Sequence, residues 1–351
     1  MKRSILFFLL IANTFLYPVF SKEIALIEKK KEYNLSNSFK SSGVLHVNNQ
    51  FGDVKIVFWN QKQVQAKVTV TANAPSLDLV ENFLNSVNVT SDKIEDDVFF
   101  KTEIKRNEMS KSNWQRGKET NFRINYVVYM PNDAELDLTN SFGTVIIPHF
   151  DAPLSLNLSY CDLQADDIIN TGSNLNLNFG SANIKSMNGG NFNANYTNVA
   201  LGDAKNIRIN NNHGNFRVKT LSDIAGVLNY SEGVLGSITE GVKLKLNYTN
   251  KLVIGEINDK IKNLELLVNY SDINLPVSET FSGNFDIKTT HGSFKINSDL
   301  LVKYLRNSES EVRNPKNQKI NISNFYQGKI GKNAGNSKIV IISNYGDVKI
   351  K

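Results

Sequence analysis

One cysteine, seven prolines, four histidines and two tryptophans in 351 residues leave little material for several architectures. Cys161 has no partner, so no intramolecular disulfide forms, and stability has to come from burial and hydrogen bonding. The lone thiol occupies a small-residue position of a repeat described below, where a packed corner residue is expected rather than a nucleophile. Histidine is as sparse: His46 and His149 have no second ligand at metal-binding spacing, and H-E-x-x-H, G-x-S-x-G and G-x-x-x-x-G-K are all missing. Long apolar runs are missing as well. Ile5 to Tyr17 is too short to span a bilayer, follows Lys2 and Arg3, and precedes Val19 and Ser21 at the small-residue positions of a cleavage site. Residues 1–21 are therefore expected to be an export signal, with no cysteine at the cut to carry a lipid and no transmembrane span in the mature chain.

Strong charge of one sign is also absent. The formal +6 falls to +4 without Lys2 and Arg3, too little over 330 residues to name a nucleic-acid partner. Residues 136–204 hold six aspartates against Lys185, which reads as solvated loops or as a surface for a cation or basic partner.

What is present is a short phrase: Asn or another small polar residue, then Tyr, Phe or His, then Gly, Ser, Thr or once Cys. It occurs eleven times, centred on Phe51, Phe142, Tyr160, Phe179, Tyr196, His213, Tyr230, Tyr248, Tyr270, His291 and Tyr345. Between Phe142 and His291 the phrases recur every 17 to 22 residues. Apolar residues stand two and four places before many of the aromatics, as Leu175 and Leu177 do before Phe179, and so would share the aromatic's face of a strand. Beyond the aromatic the apolar positions shift to +3 and +5, as in Val145 and Ile147 or Phe216 and Val218, which signals a corner. Gly143, Gly180, Gly214 and Gly292 at +1 suit tight or left-handed backbone there. Around Tyr230 and Tyr248 the apolar residue moves to +4, at Val234 and Leu252, which predicts one extra corner residue in each.

Units this short cannot bury an apolar face alone, whereas stacked windings share a continuous core. The expected fold is all-β: a single-stranded, right-handed β-solenoid with one short helix near its start, the hand following the crossover preference of parallel strands. Equivalent positions would lie roughly 4.8 Å apart, giving an internal aromatic ladder and a hydrogen-bonded ladder of Asn178, Asn195, Asn212, Asn229, Asn247, Asn269 and Asn344. A ligand-binding row of asparagines is the alternative. On the internal reading, Tyr248→Ala should cost as much as truncating any large core aromatic. The N-x-S/T sequons at several corners are by-products of the phrase.

Residues 22–131 are less regular. Strands are expected from Val44 to Trp59, Val64 to Thr71, Val98 to Ile104 and Phe122 to Met130, with a loop from Lys105 to Thr120. Between them Leu77, Leu79, Val80, Phe83, Leu84 and Val87 fit a helix face, with Ser76 as N-cap, placed to cover the open end of the stack. Regular windings span 132–298. Residues 299–351 read as an irregular insertion around Pro315 and closing strands, ending in N-Y-G-D-V-K-I, close to Q-F-G-D-V-K-I at 50–56.

The signal, the helix-bearing module from Val64 to Met130, M-P-N-D-A-E-L-D-L-T-N-S-F-G-T-V at 130–145, the N-Y-x phrases and the closing G-K-I-G…I-S-N-Y-G-D-V-K-I together resemble the auto-transporter adhesin head, or GIN-type, domain proteins and related adhesins of Bacteroidota envelopes. The resemblance covers nearly the whole mature chain and implies a non-enzymatic adhesin-like scaffold. It would be periplasmic, surface-located or secreted, and would present strand faces to a glycan, a cell-surface polymer or a protein. It supplies no catalytic, metal or cofactor residue. Asp162, Asp166 and Asp167 are the one acidic cluster from which a β-helix polysaccharide lyase or hydrolase, or a cation site, could be built; solvated turn acids are the plainer reading.

Overall fold

A computed structural model describes residues 25–105, 120–249, 251–313, 319–332 and 335–351. The expected signal, most of the 105–120 loop and Pro315 lie outside these. The described residues form an all-β molecule dominated by one 22-stranded sheet, with a single helix.

The repeating unit is a pair of strands joined at the corner aromatic. Leu154–Ile168, Asn174–Asn188 and Asn191–Lys205 pair in parallel and in constant register on both sides of their corners. The same in-register pairing continues to the Tyr270 winding. Apart from Gly226, the residues two and four before each corner are buried, Leu175, Leu177, Leu244 and Leu246 among them, and so are Val145, Ile147, Phe216 and Val218 beyond it. Stacking closes one apolar core that no single winding could bury.

The aromatic ladder itself is external, which corrects the internal placement expected from parity. All eleven corner residues have φ between 50° and 64°. Parity extrapolates an extended strand through the aromatic, but a left-handed residue reverses its side chain outward, so Leu175 and Leu177 point in while Phe179 points out. From Phe142 to Tyr345 the ladder's Phe and Tyr residues are 41–55% exposed, Tyr248 at 41% included. The left-handed residue is the aromatic, not the glycine that follows, for of the +1 glycines only Gly143 has a positive φ. Those glycines answer a different demand. A Cβ on Gly180 would stand 2.0 Å from the Cys161 carbonyl oxygen of the winding below, and one on Gly214 2.1 Å from that of Thr197. Where the +1 residue is Thr197, Ser231, Thr249 or Ser271, its side chain is buried instead.

The extra corner residue is found at Tyr248 and not at Tyr230. Leu252 pairs with Gly233, which is the buried +3 residue of the Tyr230 winding, and Val234 faces outward. Gly233 has no side chain to mark the inward position. A Cβ there would meet the Leu252 side chain at 2.7 Å, so Leu252 fills the space that the glycine leaves.

At the N-terminal end the chain leaves the parallel pattern. Ile27–Ser38 pairs antiparallel with Gln63–Ala74, which pairs antiparallel with Asn121–Met130, and Val87–Ile94 forms a hairpin with Asp97–Ile104. The helix α1 (Leu77–Ser86) buries Val80, Phe83 and Leu84 against them. Ser76 is its N-cap residue, but the cap is made through its carbonyl, which accepts from Val80 N–H at 3.3 Å, with no side-chain bond. Phe83 packs on Phe122 (4.2 Å), and Phe122 meets Phe51 edge-on (5.0 Å), so the helix module covers the first ring of the ladder.

At the other end, the stretch expected to be irregular contains Val302–Arg313 and Lys319–Ile330, an antiparallel pair laid against Gly283–Thr290. Its many Lys, Arg and Glu residues concealed strands. The final strands also enter the stack out of chain order: Ser337–Asn344 lies between Asn263–Asn269 and Gly283–Thr290, parallel to both.

Candidate binding surface

The left-handed corner decides the chemistry of the exposed edge. Such a conformation costs a non-glycine residue roughly 1–2 kcal/mol and persists only where its surroundings compensate. Glycine would adopt it freely but would add no contact. Rings turned outward from superposed corners meet their counterparts in the windings above and below instead. The ten steps from Phe51 through Phe142, Tyr160, Phe179, Tyr196, His213, Tyr230, Tyr248, Tyr270 and Tyr345 to His291 have centroid separations of 4.7–5.2 Å and interplanar angles of 1–15°. The spacing is that of neighbouring strands, and the ladder extends on the order of 50 Å. His213 and His291 are members of it, as expected from their place in the phrase. Ring faces are covered by neighbours, so the surface offers ring edges and hydroxyl groups. Burial first, then the neighbouring Tyr270 and Tyr230 hydroxyls, hold the Tyr248 phenol above its ordinary pKa.

Along one flank run the seven corner asparagines. Above Asn178 each donates its amide N–H to the side-chain oxygen of the asparagine one winding below, from Asn195 onto Asn178 (3.0 Å) up to Asn344 onto Asn269 (2.9 Å). A poor strand former recurs here because its amide is both donor and acceptor and so satisfies its own copy. On the other flank stands a row that the sequence reading missed, the residue at +2. The carboxylate of Asp53 accepts from Thr144 N–H (2.7 Å), that of Asp272 from Asp347 N–H (2.8 Å), and that of Asp347 from Ser293 N–H (2.8 Å). The Ser293 N–H and then its hydroxyl hold the Asp347 carboxyl below its usual range. The signal was available as a polar residue at constant offset from the aromatic.

The acidic trio does not converge. Asp162 and Asp166 point outward from one extended strand four residues apart, roughly 13 Å between Cα atoms. Asp162 accepts from Ser181 Oγ at 2.6 Å. Asp167 accepts from Ser186 Oγ at 2.6 Å and lies 3.2 Å from His149 Nδ1. Among the described residues no three His, Cys, Asp or Glu side chains gather as a metal site. His149, read as isolated, sits between Asp167 and Asp151, its Nε2 2.8 Å from the latter, and both acids raise its pKa. His46 stacks on Phe99 (4.4 Å) with Nδ1 3.1 Å from Asp137. Cys161 is buried beneath its corner, its Sγ 3.3 Å from the Ser159 carbonyl oxygen, and burial pushes its thiol pKa up.

No described helix is long and apolar enough to cross a membrane. No known family profile matches the chain, and no curated protein does. Solved structures similar to it include a candidate cell adhesion protein from Clostridium sporogenes, at 8% identity over 93% of this chain and 99% of that one, with a TM-score of 0.23. Candidate adhesins from Bacteroides fragilis (10% identity, 92% and 97% covered, TM-score 0.30) and Parabacteroides merdae (10%, 92% and 96%, TM-score 0.25) are similar to the same extent. At these TM-scores the likeness assigns the chain neither a fold nor a partner.

Proposed function

We propose that the chain is an exported, non-enzymatic, adhesin-like scaffold of the bacterial cell envelope that binds an extended glycan or other surface polymer along its ladder edge. The observation that carries this reading is the row of ten corner rings beyond Phe51, stacked in register and facing solvent at a backbone angle that most of them adopt only under strain. Strain kept at every winding marks a surface that the fold holds in place. Because the ring faces are covered, a partner would be held by ring edges, tyrosine hydroxyls and the unused hydrogen-bonding capacity of the asparagine row, repeated at each winding. That pattern suits a polymer bearing many hydroxyl groups. Export rests on the charged and apolar start of the sequence, and the right hand of the windings on the crossover preference. A protein partner is the other outcome of the test.

The polysaccharide-active alternative needs two carboxylates within about 10 Å of a shared bond. Asp162 and Asp166 stand roughly 13 Å apart along their strand, and Asp167 is engaged by Ser186 and His149. The test is retention of the purified mature chain on immobilised glycans and envelope extracts, with turnover scored in the same samples. The Tyr196→Ser, Tyr230→Ser, Tyr248→Ser triple variant should lose retention while keeping its circular dichroism. Unchanged retention would overturn the proposal, and turnover abolished by Asp162→Asn would replace it with the enzymatic one.

A further inference from the structure

The outer face of the strands leading into the corners changes character along the axis. Over the Tyr160, Phe179 and Tyr196 windings it carries Asn157, Asn176 and Asn193, bonded to one another at 2.9–3.1 Å. A few windings later aliphatic side chains enter it among charged ones. Register places Arg208, Ala225, Lys243, Glu265 and Val340 in one row, and Asn210, Val227, Lys245, Leu267 and Ile342 in the row beside it. The short side chains of Ala225 and Val227 between taller neighbours open a groove of about 500 Å³ that runs along the axis over five windings. Leu267 and Ile342 are 37% and 41% exposed on its floor.

The groove has a charged end and an apolar end. Arg208 and Lys245 line the groove in the windings on either side of Ala225 and Val227, and among the described residues neither makes an ion pair. Lys243 is neutralised by Glu265 at 2.8 Å, which also lowers the Glu265 pKa. Toward the C-terminal windings Glu265, held by Lys243, stands beside Leu267, and Val340 and Ile342 follow before Asp286 and Lys288 close the rows.

We propose that this groove takes up one molecule of an anionic single-chain amphiphile, its alkyl chain lying along Leu267, Val340 and Ile342 and its acidic head held by Arg208 and Lys245. The strands beneath are hydrogen-bonded on both sides, so a peptide laid across them would leave its own amides unpaired over an aliphatic floor, and a sugar would do the same with its hydroxyls. An alkyl chain has no polar group to satisfy. The two free cations select an anionic head. Polar residues bound the groove at both ends, so it admits a monomer and not a bilayer. This inference stands apart from the ladder reading.

Calorimetry of the full chain with decanoate, decanol and decyltrimethylammonium, each below its micelle-forming concentration, tests it. Decanoate should bind one per chain, at least about tenfold more tightly than the other two. The Arg208→Ala, Lys245→Ala double variant should bring decanoate down to the affinity of decanol, and Leu267→Asp should abolish binding of all three with the thermal midpoint retained. Should Leu267→Asp unfold, Ile342→Asp serves the same purpose. Absence of decanoate binding, equal binding of the three probes, or binding that survives the aspartate variant would overturn the proposal. So would binding to phosphatidylglycerol vesicles without capture of decanoate.

Discussion

Tyr345 stacks on Tyr270 with ring centroids 4.7 Å apart and planes within 2°, although 75 residues separate them. The contact exists because Ser337–Asn344 inserts between the Tyr270 and His291 windings, so its ring and its Asn344 complete both ladders. His291, earlier in the chain, then stacks on the outer side of Tyr345 (4.8 Å).

Placing the ladder outside the core reverses the expected cost of truncating its rings. Tyr248→Ala should cost clearly less than Phe192→Ala, since Phe192 is fully buried and its truncation should cost about 3–5 kcal/mol. Urea unfolding of both variants decides it, and equal losses would return Tyr248 to the interior.

Asn229 donates to Asn212 and accepts from Asn247, both at 2.6 Å. Asn229→Ala strands one partner on each side and should cost about 1–3 kcal/mol. Asn344→Ala, which removes one bond of that ladder rather than two, should cost less in the same denaturation experiment.

Gly180→Ala forces a methyl group to within 2.0 Å of the Cys161 carbonyl oxygen, so the two windings must separate locally. A loss of more than about 2 kcal/mol is expected, against a smaller effect for Gly172→Ala, whose new methyl would meet only side chains, at 3.2 Å or more. Thermal melts of the two variants provide the comparison.

The His149 pKa is raised, by its hydrogen bond to Asp167 first and by Asp151 after it. A raised folded value means the charged imidazolium stabilises the fold below the ordinary 6.5 and loses that contribution as pH climbs through the raised value. Asp167 behaves oppositely: its lowered pKa, due to Ser186 and then His149, contributes above 3.8 and is lost as pH falls through the lowered value. An NMR titration should place the His149 midpoint above 6.5, and Asp167→Asn should return it toward that value. A midpoint unmoved by the substitution would remove Asp167 as the cause.

The period of the windings, the burial of Leu175 or Phe216, and the asparagine ladder were legible in the sequence because each depends on a repeat acting on itself. A residue spaced 17 to 22 positions from its copy meets that copy wherever the chain coils. The sense in which the corner side chains point was not legible. Parity carries a side-chain direction only along extended backbone, and the left-handed turn at the aromatic is imposed by how windings superpose. The same holds for Ser337–Asn344, whose slot depends on the gap left by other strands. It holds also for the groove beside Lys245, where Ala225, Val227, Leu267 and Ile342, far apart in the chain, become neighbours only through register.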